Sequence, residues 1–414
     1  MNLPFYLAYR IYSGGGHRKA ASRPAVLIAM GGIAVGIAII LLSVFVCIGF
    51  KRDIRQTVSG FVGDVMISNL EVTSSYDMPA VVVDEELIAS LKNLGNIRHM
   101  QRFSLKAGVV KTRNAFQGMI LKGVGAEYDL RFLKRHLVEG EMPHLSDSAS
   151  SNKVVISKTI ANRLRLKVGD KIDTYFLQDD VRMRRLKITG IYQTNFTDFD
   201  SRFLITDLCL VNRLNNWSNE EVSGMELFLR PEADMDEATF DIGTMLDNRT
   251  DANGSRYCVR NLEMQQPQLF AWLDILDTNI WVILVLVLVV GGFTMISGLL
   301  IIIIERTPMI GLMKSLGATN GLIRRVFLWL AAFIVGRGML IGNLLALLVY
   351  VVQSRFHLLA LDPETYYMDT VPMYFSWTAF VVLNVLSFLA SMAMLILPSY
   401  LIARVRPSET LRFE

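Results

Sequence analysis

Residues 280–304 read IWVILVLVLVVGGFTMISGLLIIII, from Ile280 to Ile304, without a single charge. At 1.5 Å per residue this run makes a helix about 37 Å long, more than the roughly 30 Å hydrocarbon core of a bilayer requires. A soluble helix keeps one polar face, and this segment has none. Three other segments qualify by the same measure: Ala25–Phe50, Val326–Val352 and Trp377–Ile402. The expectation is a membrane protein with four transmembrane α-helices.

Working outward from these spans, Ala25–Phe50 is too long for a signal-peptide core and ends in no small-x-small cleavage site. Lys51 and Arg52 follow it, so it reads as an uncleaved anchor. Orientation follows the basic residues of the short flanks. Arg10, Arg18, Lys19 and Arg23 precede the first span. Arg306, Lys314, Arg324 and Arg325 lie between the second and third, and Arg404, Arg406 and Arg412 follow the fourth. The loop between spans three and four carries Arg355 against Asp362, Glu364 and Asp369. Both termini are therefore expected in the cytoplasm. Lys51 and Arg52 run against the rule locally, but three flanks outvote one.

The expected division is as follows. Residues 1–24 are a cytoplasmic interfacial segment, 25–50 the first span, and 51–279 an extracytoplasmic domain. Residues 280–304 are the second span, 305–325 a cytoplasmic loop, 326–352 the third span and 353–376 a short outer loop. Residues 377–402 are the fourth span and 403–414 a cytoplasmic tail. The large external domain lies between helices 1 and 2 and reads as α+β. Val81–Leu94 carries Asp84, Glu85 and Glu86 ahead of Leu87, Ile88 and Leu91, the pattern of a short helix. Arg102–Val110 and Phe116–Val124 read as a hairpin around Thr112-Arg113-Asn114. Lys153–Ile156 reads as a strand, with Ser157 capping a helix over Lys158–Leu164 and Gly169-Asp170 as a turn. Lys171–Phe176 and Arg185–Tyr192 alternate as strands do; Asp207–Leu214 and Asp234–Asp247 look helical, and Glu141–Asn152 reads as a loop.

Several function classes fall away. A formal charge of +4 over 414 residues is too small to imply a nucleic-acid partner. No GxxxxGK[ST] phosphate loop occurs; Gly14-Gly15-Gly16 leads into His17-Arg18-Lys19 and reads as a flexible joint. The five histidines form no catalytic constellation, and no zinc-type Cys/His spacing appears, so no metal site and no catalysis are expected. The spans hold no acidic residue, which disfavours ion-coupled transport. Of three cysteines, Cys47 sits in the first span; Cys209 and Cys258, both external, either form one disulfide or remain two thiols.

The cytoplasmic loop is more specific. It runs Glu305-Arg306-Thr307-Pro308-Met309-Ile310-Gly311-Leu312-Met313-Lys314-Ser315-Leu316-Gly317-Ala318. Pro308 suits a helix start. Ile310, Met313 and Leu316 recur at helical spacing, and Gly317 suits a left-handed C-cap. The expectation is a short amphipathic helix held between two spans, either resting on headgroups or engaging a partner. In the spans, Gly32 and Gly36, then Gly338 and Gly342, form small-xxx-small patterns for close helix packing. Arg337, about 12 residues into the third span, has two open readings. It either meets an anionic or carbonyl group of substrate in a cavity, or snorkels to the cytoplasmic interface.

This loop resembles the FtsX/MacB/LolC–LolE group of ABC transporter permeases, whose pattern here is close to ER-x-x-E-I-G-x-L-[KR]-x-x-G-A. Glu305, Arg306, Ile310, Gly311, Lys314, Gly317 and Ala318 match it, and Met309 replaces an acidic residue. Pro398, Ala403, Arg404, Pro407, Glu409, Leu411 and Arg412 are similar to the family ending, and Leu7-Ala8-Tyr9-Arg10 to its interfacial elbow. Val154 to Leu164, Gly169 to Ile172 and Ile188 to Ile191 resemble the family's external domain. The stretch Gly49–Ile54 with Gly60–Val62 and Val65–Ser68 is similar to the lipoprotein-releasing LolC/LolE branch, although Asp64 stands where that branch often has His.

The resemblance implies a permease subunit driven by a separate dimer of ABC ATPases that holds ATP and Mg, this chain binding no cofactor itself. It implies pairing with a second permease copy or paralogue in the cell inner membrane, with the large domain periplasmic. Pro308–Leu316 would be the coupling helix, with Ile310, Leu312, Met313 and Leu316 as its apolar contact and Lys314 as its rim. Work would pass mechanically to the periplasmic domain, which would extract a lipoprotein and deliver it to a periplasmic lipoprotein carrier. The family's alternatives are MacB-like drug or peptide efflux, and an FtsX-like signalling module that activates a cell-wall hydrolase. The size of residues 51–279 argues against the signalling module.

Overall fold

The computed structural model describes residues 3–13, 22–71, 78–112, 115–143, 145, 150–177, 181–362 and 366–399. The glycine joint at 14–16, the turn residues Arg113 and Asn114, and the carboxyl-terminal motif from Ala403 lie outside them. The chain divides into two compact units. One comprises Met1–Lys51, Trp272–Ala360 and Thr370–Glu414; the other comprises Arg52–Ala271 and Leu361–Asp369.

The first unit is helical, and four of its helices are long and apolar enough to cross a membrane. They are carried by the elements Ser22–Val62, Pro267–Glu305, Asn320–Phe356 and Trp377–Ser399. Each of the first three overruns the apolar run read from sequence. Hydropathy marks only the slab where side chains must be apolar, whereas the i to i−4 hydrogen bonds continue wherever propensity allows. The core packs Ile33, Ile37, Leu41 and Phe45 of the first span against Leu299, Ile302 and Ile303 of the second and Ile334, Val335 and Met339 of the third. A Cβ built on Gly342 would stand 2.5 Å from the Ala34 carbonyl oxygen, and one on Gly338 2.9 Å from Ile33 Cβ. Gly32 and Gly36 face elsewhere, with Thr294 Cγ2 and Val287 Cγ1 each 3.1 Å from an added Cβ. The two glycine pairs thus do not meet each other. The first span's pair admits the second span, and the third span's pair admits the first.

The second unit is an α+β domain whose strands are β1 (Val65–Asn69), β2 (Val81–Val82), β3 (Ile97–Lys111), β4 (Phe116–Val124), β5 (Leu137–Gly140), β6 (Lys153–Ser157), β7 (Lys171–Leu177), β8 (Val181–Tyr192), β9 (Phe203–Asp207), β10 (Glu221–Val222), β11 (Gly224–Leu229) and β12 (Tyr257–Asn261). Ten of them form one mixed sheet, ordered β12-β1-β11-β3-β4-β9-β6-β8-β5, with β7 pairing β3 and β8. The β3–β4 hairpin is antiparallel, while β4–β9 and β6–β8 are parallel. Helices begin where the side chains dictate. Asp84, Ser157, Asp207 and Asp234 each accept a hydrogen bond from a first-turn amide. Arg165 and Gly169 take the left-handed conformation that turns the chain from helix Lys158–Leu164 into β7. The core beneath gathers Val110, Leu121, Val154, Ile156, Ile160, Leu164, Leu186 and Leu204.

The disulfide reading is overturned, because Cys209 and Cys258 are both free. Cys209 lies on helix Leu208–Asn215, packed on β3, β4 and β9, whereas Cys258 lies on the edge strand β12. Strands β1 and β11 intervene between β12 and β3. At about 4.8 Å per strand step, the separation far exceeds the roughly 7 Å limit for a disulfide.

Candidate coupling site

The loop helix runs Thr307–Ser315, one residue after the second span ends at Glu305. Arg306 leaves helical geometry there, and Pro308 opens the new helix where its missing N–H costs nothing. Thr307 Oγ1 donates to the Ile303 carbonyl at 3.0 Å, tying the corner to the span. At the far end Gly317 takes φ +88°, and Ala318 N–H donates to the Met313 carbonyl at 2.9 Å. Thr319 then caps the third span's helix by accepting from the Leu322 amide. Both ends of the short helix are therefore fixed by the chain's own chemistry.

Its two faces differ sharply. Ile310 is 0 % exposed, within the same core as Ile323 and Phe327, and Gly311 is buried beside it. Met313 packs against that core from its edge. Leu312 is 53 % exposed and Leu316 79 % exposed, and Pro308 is exposed too. Positions 308, 312 and 316 fall four apart, so they line one stripe. Among the expected contact residues Ile310 is thus corrected: it anchors the helix inward and is unavailable to a partner. Glu305 is exposed at the corner, while Arg306, Met309 and Lys314 are half-buried. Sequence periodicity cannot assign such faces, because 310, 313 and 316 satisfy helical spacing as well as 308, 312 and 316 do.

The amino-terminal helix Leu3–Ser13 docks on the third span. Phe5 meets Trp329 edge-on at 5.1 Å and Phe333 at 5.5 Å, and Ala8 is fully buried. Arg337 sits midway along the helix Asn320–Phe356, exposed on the surface of this unit. At the opposite end of the first two spans, Lys51 pairs with Asp277 and lies 3.8 Å from Asp274. Sequence reasoning saw Lys51 only as a breach of charge asymmetry. The signal was there: a cation just past one span and two carboxylates just before the next.

In the second unit, a buried ion pair stands out. Lys122 Nζ donates to Glu226 Oε1 at 2.6 Å and to the Phe61 carbonyl, with both side chains 2 % exposed. Gln101 Nε2 donates to the other Glu226 oxygen at 2.7 Å, and the Phe61 ring lies 4.7 Å from the ammonium. Burial pushes the Lys122 ammonium below its usual range, against the pull of Glu226. Nothing in the β4 sequence distinguishes this lysine from an exposed one on an alternating strand. Among the described residues, no group of three or more His, Cys, Asp or Glu is placed to hold a metal ion.

Residues 26–245 match the MacB-like periplasmic core domain, and residues 281–407 the FtsX-like permease C-terminal region. The chain is 21% identical over 400 residues to "Lipoprotein-releasing system transmembrane protein LolC" of Xylella fastidiosa, covering 92% of each chain. It is 20% identical over 430 residues to "Lipoprotein-releasing system transmembrane protein LolE" of Haemophilus influenzae, covering 99% of each. Among solved structures, the periplasmic region of MacB from Actinobacillus actinomycetemcomitans is similar over 51% of this chain, with 13% identity and a TM-score of 0.34.

Proposed function

The chain belongs to the ABC transporter permeases that combine a MacB-like periplasmic core domain with an FtsX-like membrane region, and from that premise we propose that it is the membrane subunit of an ATP-driven lipoprotein-releasing machine. The similarity to LolC and LolE proteins over more than nine-tenths of each chain supports this reading above drug efflux or hydrolase activation. In it, ATP and Mg sit on a separate ATPase dimer, and a second permease copy or paralogue completes the membrane part. The termini and the helix Thr307–Ser315 face the cytoplasm, and the sheet domain is periplasmic.

One observation carries the mechanism: the loop helix presents apolar Leu312 and Leu316 outward while Ile310 holds it from behind. An outward apolar stripe at a cytoplasmic corner suits a groove on an ATPase. Because Ile310 is packed against Ile323 and Phe327, a push on the stripe is delivered to the third span instead of being absorbed by a loose loop. The helix Ser22–Val62 carries the first span onward without a break, so displacement of that span is passed to residues beyond the membrane. The domain then lifts an acylated protein towards a soluble carrier.

Native mass spectrometry of the complex, purified gently from its own membranes, tests the whole reading. An ATPase pair with a bound acylated protein is expected. An ATPase pair with a cell-wall hydrolase and no acylated cargo would overturn it. For the coupling helix, Leu312→Glu is expected to weaken ATPase association about thirtyfold, as loss of an interface hot spot does. Gly311→Arg is a poorer test, because Gly311 is buried and its replacement disturbs the fold itself.

A further inference from the structure

The second unit contains a cleft of about 700 Å³ that the transport reading does not use. Six arginines line it: Arg52, Arg55, Arg98, Arg131, Arg135 and Arg230. Three carboxylates share the wall, Asp64, Asp129 and Asp234, leaving a formal excess of three positive charges. Each carboxylate is already engaged. Asp64 accepts from Ser59 Oγ at 2.6 Å and from the Leu229 amide at 2.9 Å. Asp129 holds Arg131 at 2.7 Å, which pulls its carboxyl down to about 2. Asp234 caps helix Met235–Leu246 through the amides of Asp236 and Glu237. Among the described residues, the guanidinium groups of Arg98, Arg135 and Arg230 make no ion pair, and all three are exposed.

We propose that this cleft binds a phosphoryl group. Guanidinium forks match phosphate oxygens bidentately, and several forks converging on one cleft suit a tetrahedral anion better than a single planar carboxylate. The placement along the chain points to the source. Arg52, Arg55, Gln56 and Ser59 lie at i, i+3, i+4 and i+7 of one helix, so they share a face. Arg52 and Arg55 follow Phe50, the end of the uncharged apolar run of the first span, by two and five positions, about 3 and 7.5 Å along the helix axis. That is the depth of the headgroup layer outside the hydrocarbon core. A phospholipid headgroup at the outer surface therefore meets the first two arginines where they emerge. A soluble phosphorylated molecule offers the same chemistry. The proposal is independent of which cargo the permease moves.

The test uses the full chain in nanodiscs of phosphatidylcholine with a minority of phosphatidylglycerol. Lipid retained on gentle extraction is read by native mass spectrometry. In parallel, the unfolding temperature is followed in pure phosphatidylcholine discs as inorganic phosphate is added. Wild type is expected to retain phosphatidylglycerol selectively. The triple variant Arg98→Gln, Arg135→Gln, Arg230→Gln is expected to lose about a hundredfold in that selectivity, at roughly one surface cation's contribution each. Arg135→Gln alone is expected to lose about fivefold, and it keeps the test open should the triple variant fold poorly. Lipid selectivity without a phosphate response assigns the cleft to a headgroup. A phosphate-dependent rise in unfolding temperature, absent from the variant and without lipid selectivity, assigns it to a soluble phosphoryl ligand. Equal behaviour of wild type and triple variant in both arms overturns the proposal. So does an equal loss in the control Arg163→Gln, Arg184→Gln, which removes exposed arginines outside the cleft.

Discussion

A buried charge is tolerated only with a partner, and Lys122 with Glu226 is the case here. The ammonium has three donors. Glu226, the Phe61 carbonyl and the faces of Phe61 and Phe103 surround it. Removing one partner leaves the other unneutralised in a low dielectric. Lys122→Met is therefore expected to destabilise the protein by about 3–5 kcal/mol. The double variant Lys122→Met, Glu226→Leu should recover most of that loss, because an apolar pair of similar volume avoids the desolvation of both ions. Thermal unfolding of the four proteins in one detergent measures the cycle. If the double variant is as unstable as the single one, the pair's Gln101 and Phe61 contacts matter more than its charge balance.

Among elements, the spans show how much depends on single glycines. Gly342 faces a backbone oxygen, which cannot rotate away as a side chain can, so Gly342→Leu is expected to cost at least about 1–3 kcal/mol through overpacking. Gly336 lies six residues earlier on the same helix with no atom within 4 Å of an added Cβ, and Gly336→Ala should be nearly silent. Melting of the detergent-solubilised chain compares them directly, and equal melting points would refute the close approach of the first and third spans. The same small-xxx-small spacing is visible at Gly32 and Gly36, yet there the neighbours are side-chain methyls of Thr294 and Val287, which give way more readily. Spacing revealed that glycines mattered; the packing partner decided which substitutions are severe.

At the scale of the whole molecule, orientation is the property that every functional reading assumes. Positive charge in the short flanks predicts the sheet domain outside and the loop helix inside. In a background with the three cysteines replaced, Glu139→Cys should react with a membrane-impermeant maleimide on spheroplasts, since Glu139 is exposed on β5. Leu316→Cys, equally exposed on its own unit, should react only after permeabilisation. The reverse pattern would invert the topology and remove the loop helix from the reach of any cytoplasmic ATPase.

The four spans, the α+β character of the domain and the capped helices were legible in the chain itself, because each is a local property. An apolar run is long or short, and Ser157 or Asp207 precedes its helix whatever lies beyond. The loop helix was legible for the same reason, from Pro308 to Gly317. What the sequence could not hold was which side of each element meets which neighbour. Ile310 turned inward while Leu312 turned outward, Cys209 and Cys258 came to lie strands apart, and Lys122 found Glu226 across 104 residues. Arginines as distant in sequence as Arg55 and Arg230 were brought to one cleft. These outcomes depend on contacts between residues far apart along the chain, and only the packed structure decides which of them form.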